Sequence, residues 1–284
     1  MRVLVTGVNG QLGHDVVKEL NKQGIANAGY DRQHFDLVDP AAVMDAVRAY
    51  APTHIIHCAA YTAVDQAEDE PELCHAVNAT GTQNMATAAK TIGAKLLYIS
   101  TDYVFDGAGT EPYATDHPTA PQSVYGASKL AGEQAVQATL AQHYIVRISW
   151  VFGINGNNFV KTMLRLGAER SELNIVADQI GSPTYTADLA PLLAQLIQTD
   201  NYGIYHATNA GFCSWADFAA EIFAQAGLPT VVNPIPSEAF PTKATRPKNS
   251  RLDKSSLAIA SLSPLPSWQE ALQHYLKELN HEQS

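Results

Sequence analysis

Short apolar runs alternate with amphipathic stretches along the first half of the chain. The apolar runs predict strands at residues 3–5, 25–30, 54–58, 95–99 and 144–148. Between them, apolar residues recur at helical spacing over residues 15–21, 40–50, 72–92 and 130–142. Strands that alternate with helices in this way form a parallel sheet with helices on both faces. The pattern therefore predicts an α/β fold with a doubly wound, Rossmann-like sheet.

The second half of the chain mixes helical patterns with polar loops. Its apolar spacing predicts helices over residues 157–168, 187–198 and 268–279. A further strand is predicted at residues 203–207, and the Pro-rich residues 229–249 are expected to be irregular and able to wrap a ligand. Ser214 and Ser267 each precede a helical pattern, so both are predicted to be helix N-caps.

The length of 284 residues is too great for one small core and suits an α/β domain with an appended part. We expect residues 1–152 to form a dinucleotide-binding domain. Residues 153–284 are expected to form mostly a smaller C-terminal substrate lobe. Segments within residues 174–207 are expected to return to the sheet.

The first predicted strand runs into a turn with glycines at positions 7, 10 and 13. Glycine lets the backbone turn tightly and lets a pyrophosphate approach the first N–H groups of the following helix. The spacing differs from the G-x-G-x-x-G of the dehydrogenase fingerprint, and a tight connection without a ligand is the alternative. Its place at the end of the first strand favours a dinucleotide site. The predicted contacts are Gly7, Asn9, Gly10, Gln11 and Leu12.

An acidic and a basic residue stand together after the second predicted strand. Asp31 could bind the adenosine ribose hydroxyls, whereas Arg32 beside it could meet a 2′-phosphate. These neighbours point to different cofactors, so NADH and NADPH both stay open, and a solvated turn is the alternative for both residues. Asp36 and Leu37 are predicted to border the adenine. Small residues after the third strand allow close backbone approach to a ligand, which adds Ala59, Ala60 and Tyr61.

Composition narrows the classes of partner. The net charge of −10 argues against binding to nucleic acid or to an acidic membrane. The three cysteines have no metal-ligand spacing and suit a reducing cytosol, so we expect a cytoplasmic protein. The apolar pattern begins at Arg2, which leaves no room for a signal peptide, and no apolar run is long enough to span a bilayer.

Candidate chemistry centres on Tyr125 and Lys129, which lie four residues apart at the start of a helical pattern. A phenol titrates near ~10, and a nearby ammonium lowers that pKa, so such a Tyr can pass a proton to or from a carbonyl oxygen. Thr101 follows the fourth strand, at the sheet edge where ligands bind. We therefore expect the three side chains to converge on one carbonyl. A half-buried Tyr and a surface Lys are the alternative.

Together with the glycine turn and Thr101, this pair resembles the extended short-chain dehydrogenase/reductase family. Within that family, the chain is similar to the dTDP-4-dehydrorhamnose reductases through residues 100–105, 125–133, 149–152, 156–164 and 246–252. The likeness covers nearly the whole chain, in order. It implies NAD(P)H-dependent reduction of the 4-keto group of dTDP-4-dehydro-β-L-rhamnose to dTDP-L-rhamnose, the last step in making that sugar donor.

The resemblance also implies roles for individual residues, with Thr101, Tyr125 and Lys129 as the catalytic set. Arg246 is expected to pair with the sugar-nucleotide diphosphate, because a guanidinium fork fits phosphate oxygens; a surface loop arginine is the alternative. Trp150 is expected to stack on the sugar or base, with a buried structural Trp as the alternative. The expected substrate contacts are Thr101, Asp102, Val104, Trp150, Asn158 and Arg246.

Two other functions share this fold. A nucleotide-sugar dehydratase or epimerase is disfavoured because such dehydratases carry Thr-Asp-Glu where this chain has Thr101-Asp102-Tyr103. A non-enzymatic module similar to the regulatory subunit of methionine adenosyltransferase is disfavoured by the retained catalytic set.

The sequence says least about metal binding and oligomeric state. Some reductases of the resembled family are Mg²⁺-dependent dimers joined through clustered carboxylates. Asp15 could supply one carboxylate, but Ala187 stands where the second would align. A single carboxylate binds Mg²⁺ weakly. We therefore predict no metal site and expect a monomer or a homodimer.

Overall fold

The computed structural model describes residues 1–282. Its strands, numbered along the chain, are β1 (Arg2–Thr6), β2 (Ala26–Tyr30), β3 (His54–His57), β4 (Lys95–Thr101), β5 (His143–Ile148), β6 (Val151–Phe152), β7 (Glu172–Val176), β8 (Ile180–Gly181), β9 (Thr184–Tyr185), β10 (Gly203–His206), β11 (Cys213–Ser214), β12 (Val231–Ile235) and β13 (Asn249–Ser250). Its α-helices are α1 (Gln11–Lys22), α2 (Pro40–Tyr50), α3 (Val64–Ala67), α4 (Pro71–His75), α5 (Gly81–Ile92), α6 (Val124–Thr139), α7 (Phe159–Glu169), α8 (Thr186–Leu196), α9 (Trp215–Ala226), α10 (Ser255–Ile259) and α11 (Trp268–Glu282).

The central sheet has six parallel strands in the order β10-β5-β4-β3-β1-β2. Side chains on β1 alternate between its faces, as strand geometry requires. Val3 and Val5 pack with α1 and α8, whereas Leu4 packs with the layer that contains α2, α5 and α6. Helices thus cover both faces, and the predicted doubly wound, Rossmann-like fold is confirmed. The strand order reverses between β1 and β3, which places the ligand crevice at their carboxyl ends.

The smaller lobe is built around α7, α9 and α11, whose apolar faces share a core that includes Phe152, Phe218 and Tyr275. β7 pairs in parallel with β12, and β8 lies between β11 and β13. In contrast, β10 extends the central sheet beside β5, and α8 packs on it with α1. Part of the span 174–207 therefore returns to the sheet. The domain boundaries themselves stay a prediction.

The expectation that residues 229–249 are irregular is wrong over Val231–Ile235, which forms β12. β12 pairs with β7, a strand that the sequence pattern did not reveal. Pro234 removes one backbone donor, but β12 lies at the edge of a two-stranded sheet, where a Pro is tolerated. Residues 236–248 are irregular apart from a short 3₁₀ segment at Ser237–Ala239, and β13 begins at Asn249.

The helix predicted over residues 72–92 is interrupted by a π-helical turn at Ala76–Thr80. The turn directs the side chain of Asn78 into the interior, and this residue is 1% exposed. Single π-helical turns often mark functional positions, because the extra residue redirects a side chain. The predicted caps at Ser214 and Ser267 are confirmed: each hydroxyl accepts a hydrogen bond from the backbone N–H three residues later.

Among residues 1–282, none of the helices combines the length and the apolar character needed to cross a bilayer.

Candidate active site

The glycine turn between β1 and α1 is packed too tightly for side chains. Gly7 has φ +72°, and a Cβ there would lie 2.7 Å from the backbone nitrogen of Ala59. A Cβ on Gly13 would lie 2.4 Å from the carbonyl oxygen of Gly7. Gly10 is the N-cap of α1 and puts no side chain over the first N–H groups of that helix. These N–H groups suit a phosphate, so the turn fits the pyrophosphate of a dinucleotide.

Asp31 follows β2 and is tied to the glycine turn. Its Oδ2 accepts a hydrogen bond from Asn9 Nδ2 at 2.6 Å, and its Oδ1 lies 2.7 Å from His34 Nδ1. The hydrogen bonds from His34, from the Gln33 N–H and from Asn9 lower the pKa of Asp31. Arg32 beside it is exposed. An ionised carboxylate and an exposed guanidinium thus stand at the predicted ribose end of the cofactor site.

The two residues predicted to border the adenine, Asp36 and Leu37, differ in how far they are exposed. Asp36 is exposed and accepts a hydrogen bond from the Val38 N–H at 3.0 Å, which forms a turn. Leu37 is half-buried and lies against Gly81, where a Cβ would come within 2.9 Å of the Leu37 side chain. An apolar side chain is therefore available beside this turn.

The segment after β3 is fixed by buried hydrogen bonds. The Ala59 N–H donates to Thr6 Oγ1 at 3.2 Å. Asn78 clamps Tyr61, accepting from its N–H at 2.7 Å and donating to its carbonyl oxygen at 3.0 Å. Asn78 Nδ2 also donates to Ser128 Oγ on α6 at 2.9 Å. The predicted cofactor segment, Ala59 to Tyr61, is thereby joined to the helix that carries Tyr125.

The start of α6 lies directly against the end of β4. Ser123 caps the helix by accepting from the Gly126 N–H at 3.1 Å. A Cβ on Gly126 would lie 2.2 Å from the carbonyl oxygen of Tyr103, so only glycine permits this approach. Tyr125, in the first turn of α6, is thereby placed against Thr101.

Burial raises the pKa of Tyr125 above its usual value, and a hydrogen bond with Thr101 opposes that rise. The charge of Asp102 adds to the rise. The net lowering that the sequence predicted is therefore wrong in this structure, because desolvation of the phenolate outweighs the hydrogen bond with Thr101.

Lys129 is 2% exposed and lies behind Tyr125 on α6. Its Nζ donates to the carbonyl oxygen of Ile99 at 2.7 Å and lies 4.0 Å above the centre of the Tyr98 ring. Burial lowers the pKa of Lys129 to about 7, and the carboxylate of Glu133 opposes that shift. Lys129 is thus anchored to β4 at the point where the strand ends.

Asp102 is 3% exposed and lies beside the Thr101 hydroxyl. Its Oδ1 accepts from Thr101 Oγ1 at 2.9 Å, whereas its Oδ2 is buried without a hydrogen-bond partner among the described residues. Burial raises the pKa of Asp102 to about 6. The buried Oγ of Ser250, which also lacks a hydrogen-bond partner within residues 1–282, opposes that rise. An acceptor is therefore available next to Thr101.

The remaining predicted substrate residues differ in placement. Trp150 has φ +50° and stacks on Trp215 at 3.7 Å between ring centres. Positive φ at a bulky residue is strained and occurs most often at functional sites. Val104 has no exposed surface and packs in a cluster with Phe105 and Leu252, which gives no support to a substrate contact.

Asn158 lies at the start of α7. It caps α7 by accepting from the Lys161 N–H at 3.0 Å, and its Nδ2 donates to the carbonyl oxygen of Gly153 and to Gln11 Oε1. Asn155 donates to the carbonyl oxygen of Asn9 at 2.9 Å. Both asparagines therefore contact the cofactor turn, and the substrate contact of Asn158 stays a prediction.

Arg246 lies at the mouth of the site, between the two parts of the molecule. Its Nη1 donates to the Tyr103 hydroxyl at 3.0 Å, and its Nη2 donates to Asp65 Oδ2 at 2.5 Å.

Sequence reasoning missed Asp65, Ser250 and Trp215. Asp65 and Trp215 reach the site only through contacts between segments far apart in the chain, so no local pattern marks them. Ser250 lies inside the segment 246–252 that carries the family resemblance, which was an available signal.

Comparison with known proteins gives consistent matches. A family model described as the RmlD substrate binding domain matches residues 1–281. A dTDP-4-dehydrorhamnose reductase from Streptomyces griseus is 46% identical over 278 residues, which cover 95% of this chain and 91% of that protein.

Solved structures agree with these sequence matches. A dTDP-4-dehydrorhamnose reductase from Clostridium acetobutylicum superposes with a TM-score of 0.96 at 43% identity and covers 99% of this chain and 100% of its own. The enzyme of the same name from Bacillus anthracis, solved in complex with NADP, gives a TM-score of 0.95 at 48% identity, with 98% and 99% coverage. The chain therefore belongs to the dTDP-4-dehydrorhamnose reductase family of NAD(P)-binding short-chain dehydrogenase/reductases.

Proposed function

We propose that this chain reduces the 4-keto group of dTDP-4-dehydro-β-L-rhamnose with NAD(P)H and forms dTDP-L-rhamnose, the last step in making that sugar donor. The observation that carries the proposal is the meeting of Thr101 and Tyr125 at the carboxyl end of β4, with Lys129 buried behind them. This hydroxyl pair lies on the same sheet edge as the glycine turn. The family membership supports the same reaction.

The site residues divide the chemistry between them. The glycine turn and Asp31 would hold the cofactor, which would supply a hydride to C4 of the sugar when bound. Tyr125 then donates its proton to the oxygen that becomes the alcohol. A phenol is protonated at neutral pH, so the Tyr125 hydroxyl carries the proton that this direction of the reaction requires. Thr101 holds that oxygen by a hydrogen bond, and Lys129 is assigned to the nicotinamide ribose.

Turnover of the keto sugar tests the proposal. The protein is incubated with NADPH and dTDP-4-dehydro-β-L-rhamnose, while NADPH absorbance and the product are followed. Stoichiometric loss of NADPH with formation of dTDP-L-rhamnose is expected. A changed sugar with no net loss of NADPH would instead indicate an epimerase or dehydratase, and an unchanged sugar would indicate a binding module.

The ribose end of the cofactor site predicts dual cofactor use. Asp31 favours a free 2′-hydroxyl and Arg32 a 2′-phosphate, so kcat/KM for NADH and NADPH should agree within about two decades. Steady-state kinetics with each cofactor check this. Replacing Arg32 with Ala should lower kcat/KM for NADPH and leave the value for NADH unchanged. Strict use of one cofactor by the unmodified protein would contradict the prediction.

The residues near Asp15 do not fit a Mg²⁺ site. Asp15 is 3% exposed and accepts a hydrogen bond from the Thr186 hydroxyl, and burial raises the pKa of its carboxyl. Among residues 1–282, no group of three or more His, Cys, Asp or Glu side chains is placed to hold a metal. EDTA should therefore leave both the turnover rate and the sedimentation mass unchanged. A dimer that falls to monomer with EDTA would contradict this.

We further propose a cytoplasmic location and a monomer or homodimer as the assembly. All three cysteines are free thiols, which supports a reducing compartment. The formal net charge of −10 gives no support to nucleic acid as a partner.

A further inference from the structure

Asp65 joins helix α3 to the segment that carries Arg246. Its Oδ2 accepts from Arg246 Nη2 at 2.5 Å, and its Oδ1 accepts from the Ala244 N–H at 3.0 Å. One carboxylate therefore fixes both the backbone and the guanidinium of this segment. The side chain of Arg246 is 23% exposed and that of Asp65 is 46% exposed, so the pair lies at the mouth of the site.

A second ion pair, between Lys243 and Asp69, ties the same two segments together. Both of its side chains are more exposed than their counterparts in the first pair: that of Lys243 is 52% exposed and that of Asp69 is 57% exposed. Exposed ion pairs hold geometry poorly, because salt screens them and both side chains stay mobile in water. Asp69 thus provides a matched comparison for Asp65, with the same charge, segment and type of partner.

The other side of the Arg246 guanidinium is held by Tyr103, whose hydroxyl accepts from Nη1 at 3.0 Å. The Tyr103 ring in turn lies edge-on to Tyr125, with 5.5 Å between ring centres. A guanidinium has more N–H donors than these two bonds use, so some remain available for phosphate oxygens. Asp65 and Tyr103 together therefore fix Arg246 at a defined distance from the catalytic ring.

We propose that Asp65 is a positioning residue for the diphosphate of the nucleotide sugar, acting through Arg246. The inference rests on the proposed function, in which Arg246 binds that diphosphate. Asp65 orients the guanidinium so that its remaining donors face the ligand, and it removes much of the side-chain entropy that binding would otherwise have to overcome. Asp65 itself does not touch the reacting atoms, so it should affect binding rather than the chemical step.

The test compares Asp65→Asn with Asp69→Asn. The amide in Asp65→Asn still accepts from the Ala244 N–H but loses the charge that holds Arg246. The KM for the keto sugar should rise about tenfold, as expected for loss of one charge-assisted hydrogen bond, with kcat within about twofold. Asp69→Asn should leave both constants within about twofold, and Asp65→Glu, which keeps the charge, should restore most of the loss in KM.

Calorimetric binding of dTDP gives a readout that does not depend on turnover. The dissociation constant of dTDP should rise about tenfold in Asp65→Asn, and in an Arg246→Gln background the same change should have no further effect. An unchanged dissociation constant in Asp65→Asn, or an equal rise in the Arg246→Gln background, would overturn the inference. Failure of the wild-type protein to reduce the keto sugar while it binds dTDP would reject only the proposed function.

Discussion

Replacing Tyr125 with Phe should lower kcat by a factor of about 10²–10⁴, the span that general acids usually contribute. The change removes the proton donor and keeps the ring that packs edge-on against Tyr103. The Thr101 hydroxyl would remain but cannot replace the donor, since an aliphatic alcohol is a much weaker acid than a phenol. Steady-state kinetics with NADPH and the keto sugar measure the effect.

Two controls separate proton donation from structural damage. The dissociation constant for NADPH, measured by calorimetry, should stay within about twofold of the wild-type value, because the phenol proton contributes little to ground-state binding. Tyr205→Phe removes another buried phenol, one that donates to the carbonyl oxygen of Asn201 far from the glycine turn, and should keep the wild-type kcat. A Tyr125→Phe protein with more than half the wild-type rate would rule out Tyr125 as the donor.

The central sheet could be predicted because its signals are local. Strands buried on both faces read as short apolar runs, and the runs predicted at residues 54–58 and 95–99 correspond to β3 (His54–His57) and β4 (Lys95–Thr101). The glycine turn could be predicted for the same reason, since Gly7 and Gly13 satisfy backbone constraints within one turn of chain.

The lobe was harder to predict because its strands depend on distant partners. β7 and β12 are separated by more than fifty residues, and neither has a buried apolar run. In β7 only Leu173 and Val176 are buried, and in β12 no residue is buried. Their pairing is specified by the fold around them. The π-helical turn at Ala76–Thr80 was hard to predict for the same reason, because it places Asn78 against Tyr61, a residue outside the helix.

The proposed catalytic residues show the same difference between local and distant signals. The spacing of Tyr125 and Lys129 on one helix could be predicted from sequence, and so could the meeting of Tyr125 with Thr101 at a sheet edge. The sign of the Tyr125 pKa shift could not, because it depends on how deeply the phenol is buried. The partner of Arg246 could not be predicted either, since Asp65 lies 181 positions earlier in the chain.

A buried ion pair between α6 and β5 should make a large contribution to stability. Arg147 on β5 makes a two-bond contact with Glu133 on α6, with Nη2–Oε2 at 2.7 Å and Nε–Oε1 at 2.9 Å. The side chains are 3% and 1% exposed. Ser100 donates to the same carboxylate at 2.5 Å, and Arg147 Nη1 donates to the carbonyl oxygen of Thr115 at 3.1 Å. Each charge is therefore matched in a site from which water is excluded.

Replacing Arg147 with Met should lower the free energy of unfolding by about 3–5 kcal/mol, because it leaves the Glu133 charge buried and unpaired. Urea unfolding followed by circular dichroism measures the loss. The double variant Glu133→Leu/Arg147→Met should recover most of it, since two apolar side chains need no partner. Arg165→Met, which breaks an exposed pair with Glu169, should leave the unfolding midpoint nearly unchanged. If the single and double variants unfold at the same midpoint, the loss comes from altered packing and the orphaned-charge explanation is wrong.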